Sequence, residues 1–293
     1  MLYSSIKDKL ISEGISVKEK VSGALLSTFG SGGIIEYLAE PLTVDQLKIT
    51  LSAIKPLPCP IIGGGSNTLI ADGGLPFAVS IRRLSSITVS NNCMECSAGS
   101  RVQTIAALAE NSCLSGAEFL CGIPGTFGGA VCLNAGAFGR EFKDILVSVT
   151  LLENNALVKY TPQQLCMEYR NGNIGDRIVV GGAIRLEEGS AQDIRKRTLE
   201  NKEYRSRTQP IERSLGSVFK RVDGQSAAVY IEQTGLKGII VGGAQLSTRH
   251  CNFIVNRGGA KSVDYIAIAD LVSNAVKTQG IDLEMENNLL GYE

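Results

Sequence analysis

Two glycine-rich stretches contain the residues of this sequence that could bind an anion through the main chain. The first reads GGGSN at 63–67 and the second reads GIPGTFGGA at 122–130. Glycines such as Gly125, Gly128 and Gly129 can take positive φ and leave N–H groups uncovered, so a phosphate can approach the backbone closely. The stretches therefore indicate a cradle for a diphosphate, while a set of structural turns explains the same glycines about equally well.

The known nucleotide-binding motifs do not explain these stretches. The Rossmann fingerprint G-x-G-x-x-G fails because Thr68 stands at its last position, and no G-K-[ST] follows either stretch to form a P-loop. Ser66 and Asn67 can instead add side-chain donors to the main-chain amides around a phosphate. Two glycine turns about 60 residues apart therefore favour a dinucleotide bound by a different fold.

Composition limits the other kinds of chemistry. The chain of 293 residues has one histidine, His250, so a histidine-dependent triad or a multi-histidine metal site would have to depend on that residue. Cys93 and Cys96 have C-x-x-C spacing, but no second pair completes a zinc site, and we expect no metal. We expect the eight cysteines to be small buried residues rather than disulfides.

Charge and hydropathy argue against further classes of protein. Lys plus Arg and Asp plus Glu number 29 each, so no global field attracts nucleic acid or an anionic membrane. No apolar run approaches the roughly 20 residues of a membrane-spanning helix, and residues 1–20 are charged throughout, unlike a secretory signal. We expect a cytoplasmic protein that contacts neither nucleic acid nor membrane.

Apolar periodicity and turn residues predict the elements that hold the two stretches. Thr43 and Gln46 form a capping box for a helix that ends at Ile54, and Ser262 or Asp264 can cap the last helix of the chain. The predicted apolar face is Val44, Leu47, Leu51 and Ile54 in the first of these helices, and Tyr265, Ile268, Ala269, Val272 and Ala275 or Val276 in the last. The predicted helices are 4–20, 44–54, 101–113, 191–208 and 262–280, and the predicted strands lie within 34–39, 61–62, 78–100 and 145–185.

Short segments spread from Ser27 to Gly291 are more specific together than any of them is alone. They are TFGSGG at 28–33, GGGSN at 63–67, GAEFLCGIPGTFGGAV at 116–131, NAGAFG at 134–139, YR at 169–170, GSVFK at 216–220, GLKG and VGGAQLSTRHCNFIVN within 235–256, and Glu286 before LLG at 289–291. In this order they resemble the UDP-N-acetylenolpyruvoylglucosamine reductase family of FAD enzymes in peptidoglycan precursor synthesis. The short spacing between Arg170 and Ser217 resembles the subclass without an inserted tyrosine-bearing loop.

The resemblance implies an α+β fold. Two subdomains of the vanillyl-alcohol-oxidase (PCMH) type would bind FAD, and a C-terminal α/β lobe would bind the substrate. On this basis the first subdomain is predicted at 1–82, the second at 83–190, a connecting helix at 191–208 and the substrate-binding domain at 209–293. The charged composition of 191–208 favours a boundary there by itself. We expect a monomer.

The family's reaction implies catalytic roles for three residues. NADPH would reduce bound FAD, and hydride would then pass to the enolpyruvyl ether of UDP-N-acetylglucosamine enolpyruvate to give UDP-N-acetylmuramate. Arg170 matches the arginine beside the substrate carboxylate, Glu286 matches the assisting glutamate, and Ser217 matches the general acid that protonates the enolate carbon. Apart from the family, the three read as a surface cation, a solvated carboxylate and a turn serine.

The resemblance also implies binding residues. Those matched to cofactor binding are Gly63, Gly64, Gly65, Ser66, Asn67, Ile123, Pro124, Gly125, Thr126, Gly128, Gly129, Ala130 and Val180. Those matched to the UDP side of the substrate are Lys220, Gln245, Ser247, His250 and Asn252. Ordinary structural hydrogen bonding in the C-terminal lobe is the alternative for this second set.

Several positions depart from the family pattern, among them Gly30 and Ser31, which stand where a bulkier pair is usual. Arg221 stands where the family usually has asparagine, although arginine also suits phosphate. Gly172 replaces a serine, which we expect to loosen Arg170. Asn287–Asn288 follow Glu286 where basic or apolar residues are commoner, so the match of that glutamate depends mainly on the glycine that follows.

Two other functions remain open at this point. A flavin enzyme of the same fold could act on another substrate with oxygen as acceptor, and a nucleotide-sugar-binding protein could have lost catalysis. The joint presence of Arg170, Ser217 and Glu286 argues against both.

Overall fold

The computed structural model describes residues 2–292, which form both helices and strands. The α-helices are α1 (Leu2–Ser12), α2 (Val44–Ile54), α3 (Val102–Asn111), α4 (Phe127–Cys132), α5 (Pro162–Leu165), α6 (Ala191–Thr208), α7 (Ala227–Glu232) and α8 (Ser262–Lys277). Short 3-10 helices span Gly23–Leu25, Glu118–Gly122 and Phe142–Asp144.

The strands lie between and after these helices. They are β1 (Ser16–Ser22), β2 (Ile34–Glu40), β3 (Ile61–Ile62), β4 (Thr68–Ile70), β5 (Leu75–Ser80), β6 (Ile87–Ser90), β7 (Cys93–Ser97), β8 (Leu114–Ser115), β9 (Gly136–Ala137), β10 (Arg140–Glu141), β11 (Leu146–Glu153), β12 (Ala156–Tyr160), β13 (Ile178–Arg185), β14 (Glu187–Glu188), β15 (Arg213–Ser217), β16 (Ile240–Val241), β17 (Ala244–Leu246), β18 (Phe253–Asn256) and β19 (Asn288–Leu290). The larger sheets have the orders β1-β2-β5-β3, β12-β11-β13-β7-β6 and β15-β18-β17-β16, and the pairs are β10-β9, β14-β8 and β19-β4.

The N-cap predicted for α2 is confirmed. Thr43 Oγ1 accepts the N–H of Gln46 at 3.1 Å. The Gln46 side chain reaches back to the N–H of Leu42 at 2.8 Å, one residue earlier than a capping box requires. Leu47 and Ile54 are buried on the predicted apolar face. The helix predicted at 191–208 is also confirmed, as α6, while its role as a connection between domains stays a prediction.

The helix predicted at 4–20 is wrong in its second half. α1 ends at Ser12, and Gly14 takes φ +71°, while the N–H of Ile15 returns to the carbonyl of Leu10 at 3.0 Å. A glycine in the left-handed region is a common end of an α-helix. The chain then continues as β1, so the charged residues after Gly14 belong to a strand.

The side chain of Asp264 helps to cap α8, as predicted, but the N-cap residue itself is not Ser262 or Asp264, and the predicted buried face is confirmed. Lys261 is the N-cap, and its N–H donates to Asp264 Oδ2 at 2.9 Å. Asp72 accepts the next two amides, from Ser262 at 2.9 Å and from Val263 at 3.0 Å, so a carboxylate distant in sequence caps the helix. The buried face consists of Tyr265, Ile268, Ala269, Val272 and Val276.

The chain forms two compact units that interleave along the sequence. The first contains the residues up to Val17, Ala39–Gly64 and Val79–Arg205, and the second contains Lys18–Leu38, Gly65–Ala78 and the residues from Ser206 onward. The domains predicted from the sequence are contiguous, so they divide the chain differently from these units.

The first unit is built around the antiparallel sheet β12-β11-β13-β7-β6. Gly181 and Gly182 of β13 stand opposite Ser97 and Cys96 of β7. A Cβ added at Gly182 would lie 3.0 Å from the ring of Phe127, so α4 packs closely on this sheet.

The second unit has its own hydrophobic core, between α8 and the sheet β15-β18-β17-β16. Phe29 and Tyr265 are fully buried in it, with ring centroids 5.0 Å apart in an edge-to-face arrangement. The parallel pair β4-β19 belongs to this unit and aligns Thr68 with Asn288.

The cysteines are free thiols, and their expected burial is wrong for Cys113, Cys132 and Cys166, which are exposed. Cys93 and Cys96 lie three residues apart in β7, so their side chains point to opposite faces of the strand. Within residues 2–292 there is no group of three or more His, Cys, Asp or Glu side chains that could hold a metal ion. Among the helices of the same range, none has the length and apolarity needed to cross a membrane.

Candidate active site

The start of the first glycine-rich stretch meets the second stretch within the first unit. A Cβ added at Gly64 would lie 2.4 Å from the Cα of Gly125, and one added at Gly63 would lie 2.6 Å from Thr126 Oγ1. Both distances are shorter than any van der Waals contact between these atoms. The close approach of the two backbones therefore requires glycine at 64, and a side chain at 63 would displace the hydroxyl of Thr126.

Arg82 holds the carbonyl groups of the first turn. Its Nε donates to the carbonyl of Gly63 at 2.8 Å and its Nη2 donates to that of Gly64 at 3.0 Å. Bonds from a charged donor are about twice as strong as neutral ones, so the guanidinium fixes the orientation of both peptide groups. No sequence motif pointed to Arg82, and only the fold reveals this role.

The second stretch differs from its prediction at two glycines. Gly125 has φ +113°, as predicted, but Gly128 and Gly129 lie in α4. The N–H of Gly128 donates to the carbonyl of Ala98 at 2.8 Å, and that of Gly129 donates to the Oγ1 of Thr126 at 3.5 Å. The prediction of uncovered N–H groups at these two glycines is therefore wrong, because the neighbouring segment and the N-cap supply acceptors.

The other residues predicted to bind the cofactor differ in exposure. Val180 in β13 is buried, and its carbonyl accepts the N–H of Ala98 at 3.0 Å. Because the carbonyl of Ala98 accepts the N–H of Gly128, Ala98 connects β13 to α4. Of the rest, Gly65, Ile123 and Ala130 are buried, Ser66 is half-buried and Pro124 is exposed.

Arg170 lies in a tight turn of the first unit. The N–H of Glu168 donates to the carbonyl of Asn171 at 2.8 Å, and the reverse bond is 3.1 Å long. Arg170 itself has φ +55°, a conformation that is uncommon outside glycine. Its guanidinium donates to the carbonyl of Gly136 at 3.4 Å and lies 5.3 Å from the ring centroid of Tyr169. The half-buried cation is thus held by contacts on both sides.

Gly172 ties this turn to α4. Its N–H donates to the carbonyl of Cys132 at 2.9 Å, and an added Cβ would lie 2.2 Å from the carbonyl oxygen of Val131. A serine does not fit here without movement of the backbone. The contact opposes our expectation that glycine at 172 loosens Arg170.

A break in the β-ladder of the second unit sets the direction of Ser217. Ser214 stands opposite Val255 and Ser217 stands opposite Phe253, so three steps along β15 match two along β18. Gly216 supplies the left-handed residue of this bulge, with φ +79°. A β-bulge redirects the side chains that follow it, and such bulges are frequent beside active sites.

Glu286 lies on the main-chain segment next to Ser217. The N–H of Glu286 donates to the carbonyl of Val218 at 2.8 Å, and the N–H of Lys220 donates to that of Glu284 at 2.9 Å. The Nζ of Lys220 also pairs with Glu284 at 2.6 Å. Two of the three predicted catalytic residues, Ser217 and Glu286, therefore share one framework in the second unit.

Asn67 connects the end of the first glycine stretch to this framework. The side-chain Nδ2 of Asn67 donates to the main-chain carbonyl of Glu286 at 2.9 Å. The main-chain carbonyl of Asn67 accepts the N–H of Asn288 at 2.8 Å. β4 and β19 begin at this point and run parallel. Within the second unit, the structure thus brings together Asn67, Ser217 and Glu286.

Asn252, predicted to bind substrate, is buried and supports the main chain after Ser217. Its Oδ1 accepts the N–H of Phe219 at 3.0 Å, and its Nδ2 donates to the carbonyl of the same residue at 2.9 Å. Its main-chain carbonyl accepts the N–H of Val218 at 2.9 Å. The amide is therefore committed to positioning the backbone.

The remaining residues predicted on the UDP side make local contacts. Gln245 Nε2 donates to the carbonyl of Gly238 at 3.0 Å, and Ser247 Oγ accepts the N–H groups of Arg249 at 3.1 Å and His250 at 3.3 Å. Burial lowers the pKa of His250 below its ordinary value of 6.5, so the imidazole is neutral at pH 7.

Two family models match the chain. The model described as "UDP-N-acetylenolpyruvoylglucosamine reductase, C-terminal domain" matches residues 209–290, and the model described as "FAD binding domain" matches residues 35–162. Together they cover most of the sequence and include the glycine stretches, Ser217 and Glu286.

Curated relatives match over nearly the whole length. The UDP-N-acetylenolpyruvoylglucosamine reductase of Lactobacillus delbrueckii subsp. bulgaricus is 37% identical, and the match covers 97% of this chain and 98% of the relative. That of Clostridioides difficile is 34% identical, and the match covers 100% of this chain and 98% of the relative.

Solved structures agree with these matches. The reductase from Thermus caldophilus superimposes with a TM-score of 0.84 at 32% identity, over 94% of this chain and 99% of the other. A berberine bridge enzyme variant reaches a TM-score of 0.50 at 17% identity, over 64% of this chain and 44% of the other, which shows a shared fold alone. The α+β fold predicted from the sequence, with an FAD-binding part of the PCMH type and a C-terminal lobe, is confirmed.

Proposed function

The chain belongs to the UDP-N-acetylenolpyruvoylglucosamine reductase family, and we propose that it uses NADPH to reduce UDP-N-acetylglucosamine enolpyruvate to UDP-N-acetylmuramate. As a member of this family it is an FAD-dependent oxidoreductase of peptidoglycan synthesis. The observation that carries the proposal is the pairing of the Ser217 segment with the Glu286 segment, through the N–H of Glu286 and the carbonyl of Val218.

The residues of the first glycine-rich stretch, 63–67, are suited to the diphosphate of FAD. Gly64 and Gly125 leave no space for a Cβ between them, and Arg82 fixes the carbonyls of Gly63 and Gly64. Turns so constrained can present main-chain amides to a diphosphate without side chains in the way. We therefore assign the cofactor diphosphate to Gly63–Asn67 and to the segment that begins at Ile123. FAD, when bound, supplies the hydride for the reaction.

The reduction adds a hydride and a proton across the carbon–carbon double bond of the enolpyruvyl group. Negative charge develops on the substrate carboxylate as the hydride is added, so a fixed cation there lowers the barrier. We assign this role to Arg170, whose forked guanidinium suits a carboxylate and whose turn is held by hydrogen bonds. Glu286 assists Arg170 in stabilising the enolate, and Ser217 gives its hydroxyl proton to the enolate carbon. A serine is a weak acid, so this step depends on the partly buried position of Ser217.

The C-terminal lobe supplies the residues that we assign to the UDP part of the substrate. We propose that Lys220, Gln245, Ser247 and His250 contact the UDP group, and that Asn252 holds the main chain beside them. We propose a monomer in the cytoplasm, and the free cysteines are in keeping with a reducing compartment.

The test is the visible flavin spectrum of the purified protein without oxygen, recorded as NADPH and then UDP-N-acetylglucosamine enolpyruvate are added. We expect bleaching by NADPH and recovery with the enolpyruvate. Bleaching without recovery would reject this substrate, and recovery only when oxygen is admitted would favour an oxidase of the same fold. Failure of the flavin to bleach would reject NADPH as donor.

A further inference from the structure

The side chain of Asn287 is buried at the junction of the groups described above. Only 7% of the residue is exposed. Its Nδ2 donates to Asn67 Oδ1 at 2.8 Å and to the main-chain carbonyl of Ser217 at 3.2 Å. Its Oδ1 accepts the hydroxyl of Tyr265 at 2.5 Å. Both amide hydrogens and the amide oxygen therefore have partners.

The hydrogen bonds share one donor-to-acceptor direction: Tyr265 donates to Asn287, Asn287 donates to Asn67, and Asn67 donates to Glu286. Tyr265 is fully buried, and burial, with the nearby charge of Glu286, raises the pKa of its phenol. The phenol therefore stays protonated and must donate to Asn287, which turns the NH₂ group of Asn287 toward Asn67 and Ser217. Asn67 in turn donates to the carbonyl of Glu286 at 2.9 Å.

The peptide group that follows the bulge is held at both of its polar atoms. The ladder between β15 and β18 is irregular at Gly216 and resumes at Ser217, opposite Phe253. The N–H of Val218 donates to the main-chain carbonyl of Asn252 at 2.9 Å, which leaves the carbonyl of Ser217 to a side-chain donor. The amide of Asn287 bonds the carbonyl of Ser217 at this point. Rotation of that peptide group would redirect the Ser217 side chain.

We propose that Asn287 is a positioning residue, which aims the Ser217 hydroxyl at the enolate carbon and couples it to Asn67 and Glu286. This inference depends on the proposed function, because it assigns Asn287 to the protonation step of that reaction. Asn287 does not itself contact the reacting atoms; it acts through the main chain of Ser217.

The test compares Asn287→Leu with Asn288→Leu. Leucine has nearly the shape of asparagine but no polar atoms, so Asn287→Leu leaves the hydroxyl of Tyr265, Asn67 Oδ1 and the carbonyl of Ser217 without their bonds. The side chain of Asn288 is exposed, so the same change there is a matched control. Tyr265→Phe removes only the hydroxyl that orients the amide of Asn287, so it is the test variant if Asn287→Leu does not fold.

Each variant is measured for thermal unfolding, flavin content and the two half-reactions. For Asn287→Leu we expect reduction by NADPH within about twofold of wild type and reoxidation by the enolpyruvate slowed about ten- to a hundredfold, since small misplacements of a reacting group cost up to this factor. Tyr265→Phe should show a smaller effect in the same direction. Asn288→Leu should match wild type in both steps.

Two further readouts separate positioning from general destabilisation. If Asn287 acts through Ser217, its loss in a Ser217→Ala background should cost little more, because the hydroxyl that it aims is already absent. The lactyl carbon should also lose configurational purity in Asn287→Leu, since protonation from water can occur on either face.

Wild-type reoxidation rates in both Asn287→Leu and Tyr265→Phe would overturn the inference, as would an equal loss of rate with and without the Ser217 hydroxyl. If wild-type protein itself reduces no enolpyruvate, the proposed function fails first, and the inference fails with it.

Discussion

The side chain of Asn67 donates a hydrogen bond to the main-chain carbonyl of Glu286 at 2.9 Å, across 219 positions of sequence. One residue ends the first glycine-rich stretch and the other is the carboxylate assigned to the reduction. The bond, together with the parallel pairing of β4 and β19, fixes the two residues next to each other in the second unit. Asn67, which we assign to the cofactor, and Glu286, which we assign to the reduction, therefore share one main-chain framework there.

Alanine at position 64 should weaken FAD binding. The added Cβ would lie 2.4 Å from the Cα of Gly125, so the two turns must separate. We expect Gly64→Ala to lose most of its bound flavin and about 1–3 kcal/mol of unfolding free energy, as overpacked sites do. The ratio of flavin to protein absorbance and urea unfolding measure the two effects.

Gly73→Ala is the matched control for that change. No atom lies within 4 Å of a Cβ added at Gly73, and its φ is not in the left-handed region. Flavin content and stability should be those of wild type. Equal flavin content in Gly64→Ala and Gly73→Ala would show that the close approach at Gly64 is unimportant for the cofactor.

Serine at position 172 should disturb Arg170. Its Cβ would lie 2.2 Å from the carbonyl oxygen of Val131, so the turn that carries Arg170 must move away from α4. We expect Gly172→Ser to lose about 1–3 kcal/mol of unfolding free energy and to raise the KM for the enolpyruvate, with reduction by NADPH retained. Gly73→Ser is the control. A Gly172→Ser variant as stable and active as wild type would contradict the close contact.

The imidazole of His250 should titrate below pH 6.5. Burial lowers its pKa in the folded protein, so below pH 6.5 the unfolded chain binds more protons than the folded one. This residue should therefore make the protein less stable as pH falls from about 7 towards the folded pKa. Because the chain has one histidine, a single NMR resonance reports the titration. A midpoint at or above 6.5 would contradict the buried, neutral imidazole.

Local signals predicted the elements that depend on local chemistry. The N-cap at Thr43 and the apolar face of α8 follow from side chains within a few residues, and both are confirmed. α1 was extended too far because the charged residues after Gly14 fit a helix or a strand. The helix α4 was not predicted, since its glycines favour turns and its first two amides, of Phe127 and Gly128, donate to the distant carbonyls of Ser100 and Ala98.

The candidate site shows the same limit more clearly. The glycine stretches could be found from the sequence because close backbone approach requires glycine itself. Arg82 and Asn287 could not, because their partners are brought to them only by the fold: Arg82 bonds a turn 18 and 19 positions earlier, and Asn287 bonds Asn67 across 220 positions. Nothing in their own neighbourhoods distinguishes them from surface residues.

Ser217→Ala, followed through both half-reactions without oxygen, tests the central claim most directly. The variant keeps the bulge at Gly216, so it should bind FAD and be bleached by NADPH like wild type. Reoxidation by UDP-N-acetylglucosamine enolpyruvate should be slower by about 10²- to 10⁴-fold, the usual contribution of a general acid. Reoxidation at the wild-type rate would contradict the assignment of Ser217 as the proton donor.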